Sequence, residues 1–260
     1  ASGVKMANPK LDVWVATGDG DGLSIGGNHM IHMLRRNMNI KVLLFNNQIY
    51  GLTKGQFSPT SESGKRTKSS PTGALGRPFN PVSLALGAEA SFVARTIDMD
   101  RPHTFEILRR AYQHRGSAFI EIYQNCNVFN DGQFDEVTKK QARDEMMINL
   151  VHGEPITFGA DQQRAVAMGV DGQLRLVERA DVVAEEILIH DAHRHDPSLA
   201  FALARLSHDD HSPTPFGVFR DIQRPEYSHA VADQVMAASE RKGPGDLEAL
   251  LRSNGTWTVD

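Results

Sequence analysis

At 260 residues, 40% of them hydrophobic and 23% charged, the chain has the composition of a globular protein with room for one large or two modest domains and a sizeable core. A net charge of −4 leaves no electrostatic footprint for nucleic acid or an anionic membrane, and no apolar run reaches the ~20 residues of a spanning helix. No secretory segment opens the sequence and its single cysteine excludes an internal disulfide, so a cytoplasmic protein is expected.

Residues 1–9 read as the end of a helix stopped by Asn8-Pro9, and residues 13–16 as a strand apolar enough to be buried on both faces of a parallel sheet. That strand runs into Thr17-Gly18-Asp19-Gly20-Asp21-Gly22, whose glycines let the backbone approach a ligand closely or take positive φ. This is not the dinucleotide fingerprint G-x-G-x-x-G, because the final position falls on Leu23 or Ile25. Two aspartates facing a bare pyrophosphate would repel it. A divalent cation between carboxylate and phosphate removes that objection. Taken alone, the turn is equally compatible with an ordinary Asp-Gly turn.

Residues 26–36 predict an amphipathic helix with Met30, Met33 and Leu34 on one face and Arg35 and Arg36 in the last turn, where cations oppose the dipole. His29 and His32 project from neighbouring positions, and His29 stands near the amino end, which favours anions. Residues 40–45 form a second core strand closed by Asn46-Asn47. Asn47 follows Asp19 by 28 residues, enough for one crossover helix and a parallel return strand. Two polar strand ends then lie at one carboxyl edge, where open parallel sheets bind ligands. An amide oxygen is a hard, neutral ligand suited to Mg2+, and a loop carbonyl just beyond it supplies another.

Residues 51–77 make a loop long enough to be functional or mobile. It carries Lys54, Lys65, Arg66, Lys68 and Arg77 against Glu62, an excess that suits an anionic substrate or coenzyme. A helix is expected over 81–86, a strand over 92–96, a helix over 104–114 with Phe105, Leu108 and Tyr112 on its apolar side, and a buried strand over 118–123. Cys126 lies just past that strand. The alternation argues for an α/β fold with a parallel sheet.

Further on, a charged helix is expected over 138–150 and a hairpin over 164–177, about Asp171-Gly172. A strand at 187–190, a helix at 198–206 capped by Ser198, a strand at 217–220 and two short helices in 228–260 follow. The expected division is a ligand-binding domain, 1–158, and a smaller α+β extension, 159–260, with hairpin and helices. His208, Asp209, Asp210 and His211 are consecutive and read as a solvated loop, since four consecutive residues rarely face one metal.

Gly-Asp-Gly followed at this distance by Asn-Asn is the signature of thiamine diphosphate enzymes. With Ile25-Gly26, His29, His32, Arg35-Arg36-Asn37, the run from Asn46 to Gln56, Phe79-Asn80-Pro81, Glu121 to Cys126 and His190-Asp191-Ala192-His193, the chain resembles the β subunits of 2-oxoacid:ferredoxin oxidoreductases. Lys54 and Ser58-Pro59-Thr60 are most similar to the 2-oxoglutarate type.

The resemblance implies a parallel-sheet thiamine diphosphate-binding fold with helices on both faces. It implies oxidative decarboxylation of a 2-oxoacid, 2-oxoglutarate first, to the acyl-CoA and CO2, and the reverse reductive carboxylation. The coenzyme supplies the carbanion that attacks the keto carbon, electrons pass singly through a [4Fe-4S] cluster to ferredoxin, and coenzyme A takes the acyl group. By the same resemblance Asp19, the Asn47 side chain and the Ile49 carbonyl bind Mg2+, while Gly18, Gly20, Asp21, Gly51, Leu52 and Thr53 contact the coenzyme. Lys54 and His29 belong to the catalytic site.

Cys126 resembles the isolated fourth cysteine of the family. Its three companions are expected outside this sequence, because family β subunits carry them before the glycine turn, where residues 1–12 stand here. The glutamate that polarises the coenzyme belongs to the α subunit in this family. An (αβ)2 hetero-oligomer, inactive as the β chain alone, is therefore expected. Two other readings stay open. A non-redox thiamine diphosphate enzyme, such as a 2-oxoacid decarboxylase or an acetohydroxyacid synthase, needs no cysteine at 126; a non-catalytic assembly subunit has no use for an intact Asp19 and Asn47.

Overall fold

The computed structural model describes residues 1–208, 212–257 and 259. Helix α1 (Ser2–Ala7) precedes β1 (Val13–Gly18); the glycine turn then winds directly into a single helical turn, α2 (Asp19–Leu23), before α3 (Gly27–Arg35) and β2 (Ile40–Asn46). After a long loop come α4 (Pro81–Gly87), β3 (Phe92–Ile97), α5 (Arg101–Gln113) and β4 (Ala118–Tyr123). Both later helices start at a capped proline turn: Asn80 accepts from the Ser83 amide and Asp100 from the His103 amide. The remainder comprises α6 (Asp135–Thr138), α7 (Lys140–Met146), β5 (Met147–Leu150), β6 (Thr157–Phe158), β7 (Arg164–Met168), β8 (Leu174–Glu178), α8 (Ser198–Arg205), β9 (Thr214–Asp221), α9 (Tyr227–Lys242) and α10 (Leu247–Arg252).

The main sheet has the order β1-β2-β4-β3-β9-β5. Its first four strands are mutually parallel, β9 runs antiparallel to β3, and β5 is parallel to β9. Helices cover both faces. Val42, Leu44, Val93 and Phe119 pack against α3, α4 and α8, while Phe92, Ala118 and Ile120 pack against Ile107 and Ala111 of α5. Because β1 and β2 are direct parallel neighbours, with Gly18 opposite Phe45, their carboxyl ends emerge side by side.

Several expectations change. The charged helix over 138–150 ends at Met146, and residues 147–150 become a strand because Met147, Ile148 and Leu150 are needed beside β9. The strand at 217–220 is eight residues long; Gly217 takes φ +124°, and a Cβ there would stand 2.6 Å from the Leu150 carbonyl oxygen. Since β9 lies between β3 and β5, the main sheet crosses the division expected at residue 158. The hairpin is present as β7 and β8, joined through a loop in which Gly172, not Asp171, has positive φ. Residues 187–190 contribute only isolated bridges, at Ile187 and Ile189. Pro197, not Ser198, occupies the cap position of α8, and the Ser198 hydroxyl donates to Asp196. In the tail, α9 is 16 residues long.

The apolar face expected on α5 is also displaced. Ile107 and Ala111 are its buried residues, whereas Phe105 and Tyr112 are 72% and 57% exposed. Asp209, Asp210 and His211 lie outside the described residues. No helix among the described residues is long and apolar enough to cross a membrane.

The amino end of the sheet is closed by a polar cluster. His114 stands between the Ser91 hydroxyl, 2.7 Å from Nε2, and Asp221 Oδ1, 3.0 Å from Nδ1, and Arg110 reaches Asp221 Oδ2 at 3.2 Å. The distances are those of a hydrolytic triad, but Ser91 is fully buried and hydrogen-bonds to Asn37, which itself caps the Ser117 amide. The cluster ties α5 to β9. Burial pushes the Asp221 carboxyl up, yet hydrogen bonds from His114 and Arg110 hold it below its ordinary value of 3.8. A depressed carboxyl contributes stability that is complete above that value and lost as pH falls through the folded one. Asp221→Asn is therefore expected to lower Tm at pH 7 and to flatten the acid limb below pH about 4. Thermal unfolding between pH 7 and 3 reads both, and an acid limb parallel to that of the native chain speaks against the cluster.

Candidate active site

Asp19 is the first residue beyond β1. It is 1% exposed, its Oδ1 accepts from the Asn47 amide at 3.4 Å, and its Oδ2 lies 2.7 Å from the Thr60 hydroxyl. Among the described residues it has no ion pair. Desolvation pushes its carboxyl above the ordinary range, more than the hydroxyls of Ser58 and Thr60 and the Asn47 amide pull it down.

The hydrogen bonds around Thr60 show what is missing. Its single hydroxyl proton faces two acceptors, Asp19 Oδ2 and Asn46 Oδ1, the latter at 2.9 Å. Asn46 in turn donates through Nδ2 to Glu121 Oε1 at 2.7 Å, and Glu121 Oε2 accepts from Arg95 Nε at 2.7 Å. Glu121 and Arg95 are neighbours across β4 and β3, and both are buried. A buried carboxylate without a countercharge is costly. Either a proton or a cation must complete Asp19, and a divalent cation does so without requiring a donor from Thr60.

The residues at hand suit such a cation. The Asn47 side chain, half-buried beside Asp19, folds into a turn in which its Oδ1 accepts from the Ile49 amide at 3.3 Å. Asp19 is thus joined through the Asn47 amide to a turn that includes Ile49, and these residues carry carboxylate, amide and carbonyl oxygens of the kind Mg2+ takes alongside phosphate oxygens and water. Among the described residues no group of three or more His, Cys, Asp or Glu could hold a metal ion. The set matches a site that shares its cation with a ligand's own phosphates.

Gly18, Gly20 and Gly22 are not among the residues of positive φ; Gly20 and Gly22 serve space, whereas a Cβ on Gly18 would meet nothing within 4 Å. A Cβ on Gly20 would stand 2.3 Å from the ring of Tyr50, whose hydroxyl donates to the Gly20 carbonyl at 2.8 Å. Tyr50 therefore locks the loop after β2 onto the turn after β1. Beyond it the chain doubles back, with Tyr50 bridged to Gln56, so that Gly51, Leu52, Thr53 and Lys54 form a projecting tip. Leu52, Thr53 and Lys54 are exposed, and Lys54 has φ +63° and no side-chain partner among the described residues.

The long loop turns inward where a mobile or solvated segment was an open expectation. Ser58, Thr60 and Ser61 are buried, and Ser61 donates to the Gln48 carbonyl at 2.6 Å. Lys65 is held by Asn130 and Gln133, whereas Lys54, Arg66, Lys68 and Arg77 are exposed. A polar cavity of about 150 Å³ lies between this loop and the sheet, lined by Asn46, Gln48, Thr60, Arg95 and Glu121. The Gln48 Oε1 is buried there without a hydrogen-bond partner, worth about 1–3 kcal/mol if left unmet.

Two of the expected residues lie elsewhere. Asp21 and His29 line a separate cavity of about 390 Å³ with Thr17, Gly22 and Gly26, alongside β1. Cys126 is half-buried past β4; Asn130 donates its amide to the Cys126 carbonyl at 2.9 Å and its Nδ2 to the Asn47 carbonyl at 2.9 Å. One asparagine thus stitches the cysteine loop to the candidate cation loop. Sequence reading did not assign Asn46, Thr60, Tyr50, Arg95 or Glu121 to the site. The available signal was a charge in each of two otherwise apolar strands.

A thiamine diphosphate-binding domain is what this fold and site define. The C-terminal TPP binding domain of thiamine pyrophosphate enzymes matches residues 1–122. The chain is 55% identical over its full length to the 2-oxoglutarate oxidoreductase subunit KorB of Mycobacterium tuberculosis, 70% of which it covers. It is 47% identical, over half its length and 41% of the relative, to 2-oxoacid:ferredoxin oxidoreductase 1 subunit beta of Aeropyrum pernix. Among solved structures, 2-oxoglutarate:ferredoxin oxidoreductase from Magnetococcus marinus, with 2-oxoglutarate, coenzyme A and succinyl-CoA bound, superposes on 99% of the chain and 72% of its own, at TM-score 0.69 and 27% identity. The chain belongs to the β subunits of 2-oxoacid:ferredoxin oxidoreductases.

The raised Asp19 carboxyl gives a prediction independent of turnover. A group with a raised acid pKa lowers stability as pH climbs from its unfolded to its folded value, and the deficit persists above. In EDTA at pH 7, Asp19→Asn should unfold at a higher temperature than the native protein. Adding Mg2+ and thiamine diphosphate should raise Tm only in the native one. A variant less stable in EDTA, or still stabilised by both additions, contradicts the assignment.

Proposed function

We propose that this chain is the coenzyme-binding β subunit of an enzyme that oxidatively decarboxylates 2-oxoglutarate to succinyl-CoA and CO2. Two electrons leave one at a time to ferredoxin, and the same site runs the reductive carboxylation in reverse. The observation that carries the reading is Asp19, buried at a strand end without an ion-pair partner among the described residues and flanked by Asn47. The family relationship supports the substrate: the relatives named above act on 2-oxoglutarate or other 2-oxoacids, and the superposed structure holds 2-oxoglutarate and coenzyme A.

Thiamine diphosphate, when bound, supplies the nucleophile and electron sink for loss of CO2. Asp19, the Asn47 amide oxygen and the Ile49 carbonyl hold Mg2+, and Gly18, Gly20, Gly51, Leu52 and Thr53 seat the coenzyme. The turn from Gly51 to Lys54 excludes water above it. Lys54 places an ammonium where a distal carboxylate or a coenzyme A phosphate is bound, and His29 contributes from the helix behind the turn. Cys126 is one ligand of a [4Fe-4S] cluster whose other three thiolates lie outside this sequence. An α subunit completes the site, in an (αβ)2 assembly of the cytoplasm.

The test is 2-oxoglutarate-dependent, coenzyme A-dependent reduction of ferredoxin by the full β chain with its α subunit. CO2 release without electrons reaching ferredoxin would favour a non-redox decarboxylase. Lys54→Ala should raise KM for 2-oxoglutarate or coenzyme A by about ten- to a hundredfold, the worth of one charge-assisted contact. If neither KM moves, the lysine is surface charge. Cys126→Ala should lose iron and the reduced-state EPR signal of the cluster. Full iron content with an unaltered spectrum removes the ligand role.

A further inference from the structure

The most connected group outside the proposed ligands is the buried pair Arg95 and Glu121. A relay runs from it: Arg95 Nε to Glu121, Asn46 Nδ2 to Glu121, the Thr60 hydroxyl at Asn46 Oδ1, and the same hydroxyl at Asp19 Oδ2. Every member is at most 2% exposed. Water therefore cannot repair a broken link cheaply.

The relay has a direction, set by Glu121 together with the Gln48 amide. An ionised carboxylate accepts only, so the carboxamide of Asn46 must turn its NH2 to Glu121 and its oxygen to Thr60. That oxygen also accepts from the Gln48 amide at 3.2 Å. The one proton of Thr60 is then divided between Asn46 Oδ1 and Asp19 Oδ2, and Asp19 Oδ2 has only a shared claim on it. Arg95 keeps Glu121 in place through the ion pair, with its own Nη1 on the Pro215 carbonyl at 3.2 Å and its guanidinium over the Tyr123 and Phe219 rings.

We propose that Glu121, clamped by Arg95, is a positioning residue for the cation site: by holding the oxygen of the Asn46 carboxamide toward Thr60 it provides a second acceptor for the Thr60 proton, which leaves Asp19 more available to the divalent cation. In Glu121→Gln the relay reverses. The introduced NH2 group donates to Asn46 Oδ1, Asn46 Nδ2 donates to Thr60, and Thr60 donates to Asp19 alone, at the cost of the bond that the Gln48 amide makes to Asn46 Oδ1. A carboxylate already satisfied by a hydroxyl competes poorly for a metal. Removing the Thr60 hydroxyl cuts the relay, so a change at Glu121 can no longer reach Asp19.

The inference rests on the cation site proposed above, and a double-mutant cycle tests it. Mn2+ affinity is measured by EPR of the free ion, in the presence of thiamine diphosphate, on the complex of the full β chain with its α subunit. Glu121→Gln should weaken Mn2+ binding about tenfold, roughly the worth of one hydrogen bond to a charged group. Thr60→Val alone should bind within about threefold of native, and Glu121→Gln added to Thr60→Val should change nothing further. Thr60→Ser, which keeps the hydroxyl, should restore the tenfold effect of Glu121→Gln. Because Glu121→Gln leaves Arg95 buried and unpaired, Arg95→Met with Glu121→Leu provides a second arm. Apolar replacements of a buried pair are often tolerated, and the freed Asn46 should give the same loss, again absent in Thr60→Val.

An unchanged Mn2+ affinity in folded Glu121 variants overturns the proposal. So does a loss of equal size with or without the Thr60 hydroxyl, which marks a packing effect. A native complex that binds no Mn2+ with thiamine diphosphate defeats the cation site itself, an outcome distinct from either.

Discussion

A carboxylate withdrawn from water needs a countercharge or a proton, and at Asp19 the chain supplies neither in full. The surroundings follow from holding that group where it is. Parallel pairing of β1 with β2 brings the Asn47 amide to one oxygen, the inward fold of the long loop brings Thr60 to the other, and Tyr50 packs the second turn onto the first. Each contact steers Asp19, yet together they fail to cancel its desolvation. What the fold withholds from this residue is what makes it useful as a ligand.

The two ends of the sheet make the contrast concrete. At the amino end, Asn37, Ser91, His114, Asp221 and Arg110 form a polar network somewhat less buried than the one at Asp19, and its acid is well supplied with donors. It holds the carboxyl of Asp221 below its ordinary range, whereas burial drives that of Asp19 above it. Residue types alone would have favoured the wrong end, because serine, histidine and aspartate at triad distances occur there. The distinction lies in satisfaction: a closed network stabilises the fold, and an incomplete one awaits a ligand.

The parts legible in the sequence are those in which neighbours in the chain are neighbours in space. The βαβ unit is one such part: Asp19 and Asn47 sit at its two strand ends, and the helix between them leaves little choice of topology. Thr60 was not legible as a site residue, since it reaches Asp19 from a loop whose path depends on buried serines rather than on any periodicity. Arg95 and Glu121 stood out as charges inside apolar strands, but pairing them requires knowing that β3 and β4 are adjacent. The same gap hid β5 and the first residues of β9, of which only 217–220 were expected. A four-residue strand after a helix reads as more helix until its sheet partner is known, and that partner lies far along the chain, at Thr214 to Gly217.

The carboxylates at the active edge also bear on why the proposed enzyme is shared between two chains. A thiamine coenzyme needs an acid near its aminopyrimidine that can exchange a proton. Asp19 is assigned to the cation, Glu121 is held by both Arg95 and Asn46, Glu62 accepts from Gln133, and Asp21 faces the other cavity. Each acid is thus engaged or turned away, and a side chain fixed by two charge-assisted or buried hydrogen bonds is a poor proton shuttle. In the loop above them Leu52 and Leu75 are almost wholly exposed, among the exposed cations Lys54, Arg66, Lys68 and Arg77. A site whose nearby carboxylates are already committed is suited to completion from outside these residues, which agrees with the α subunit that membership of this family implies.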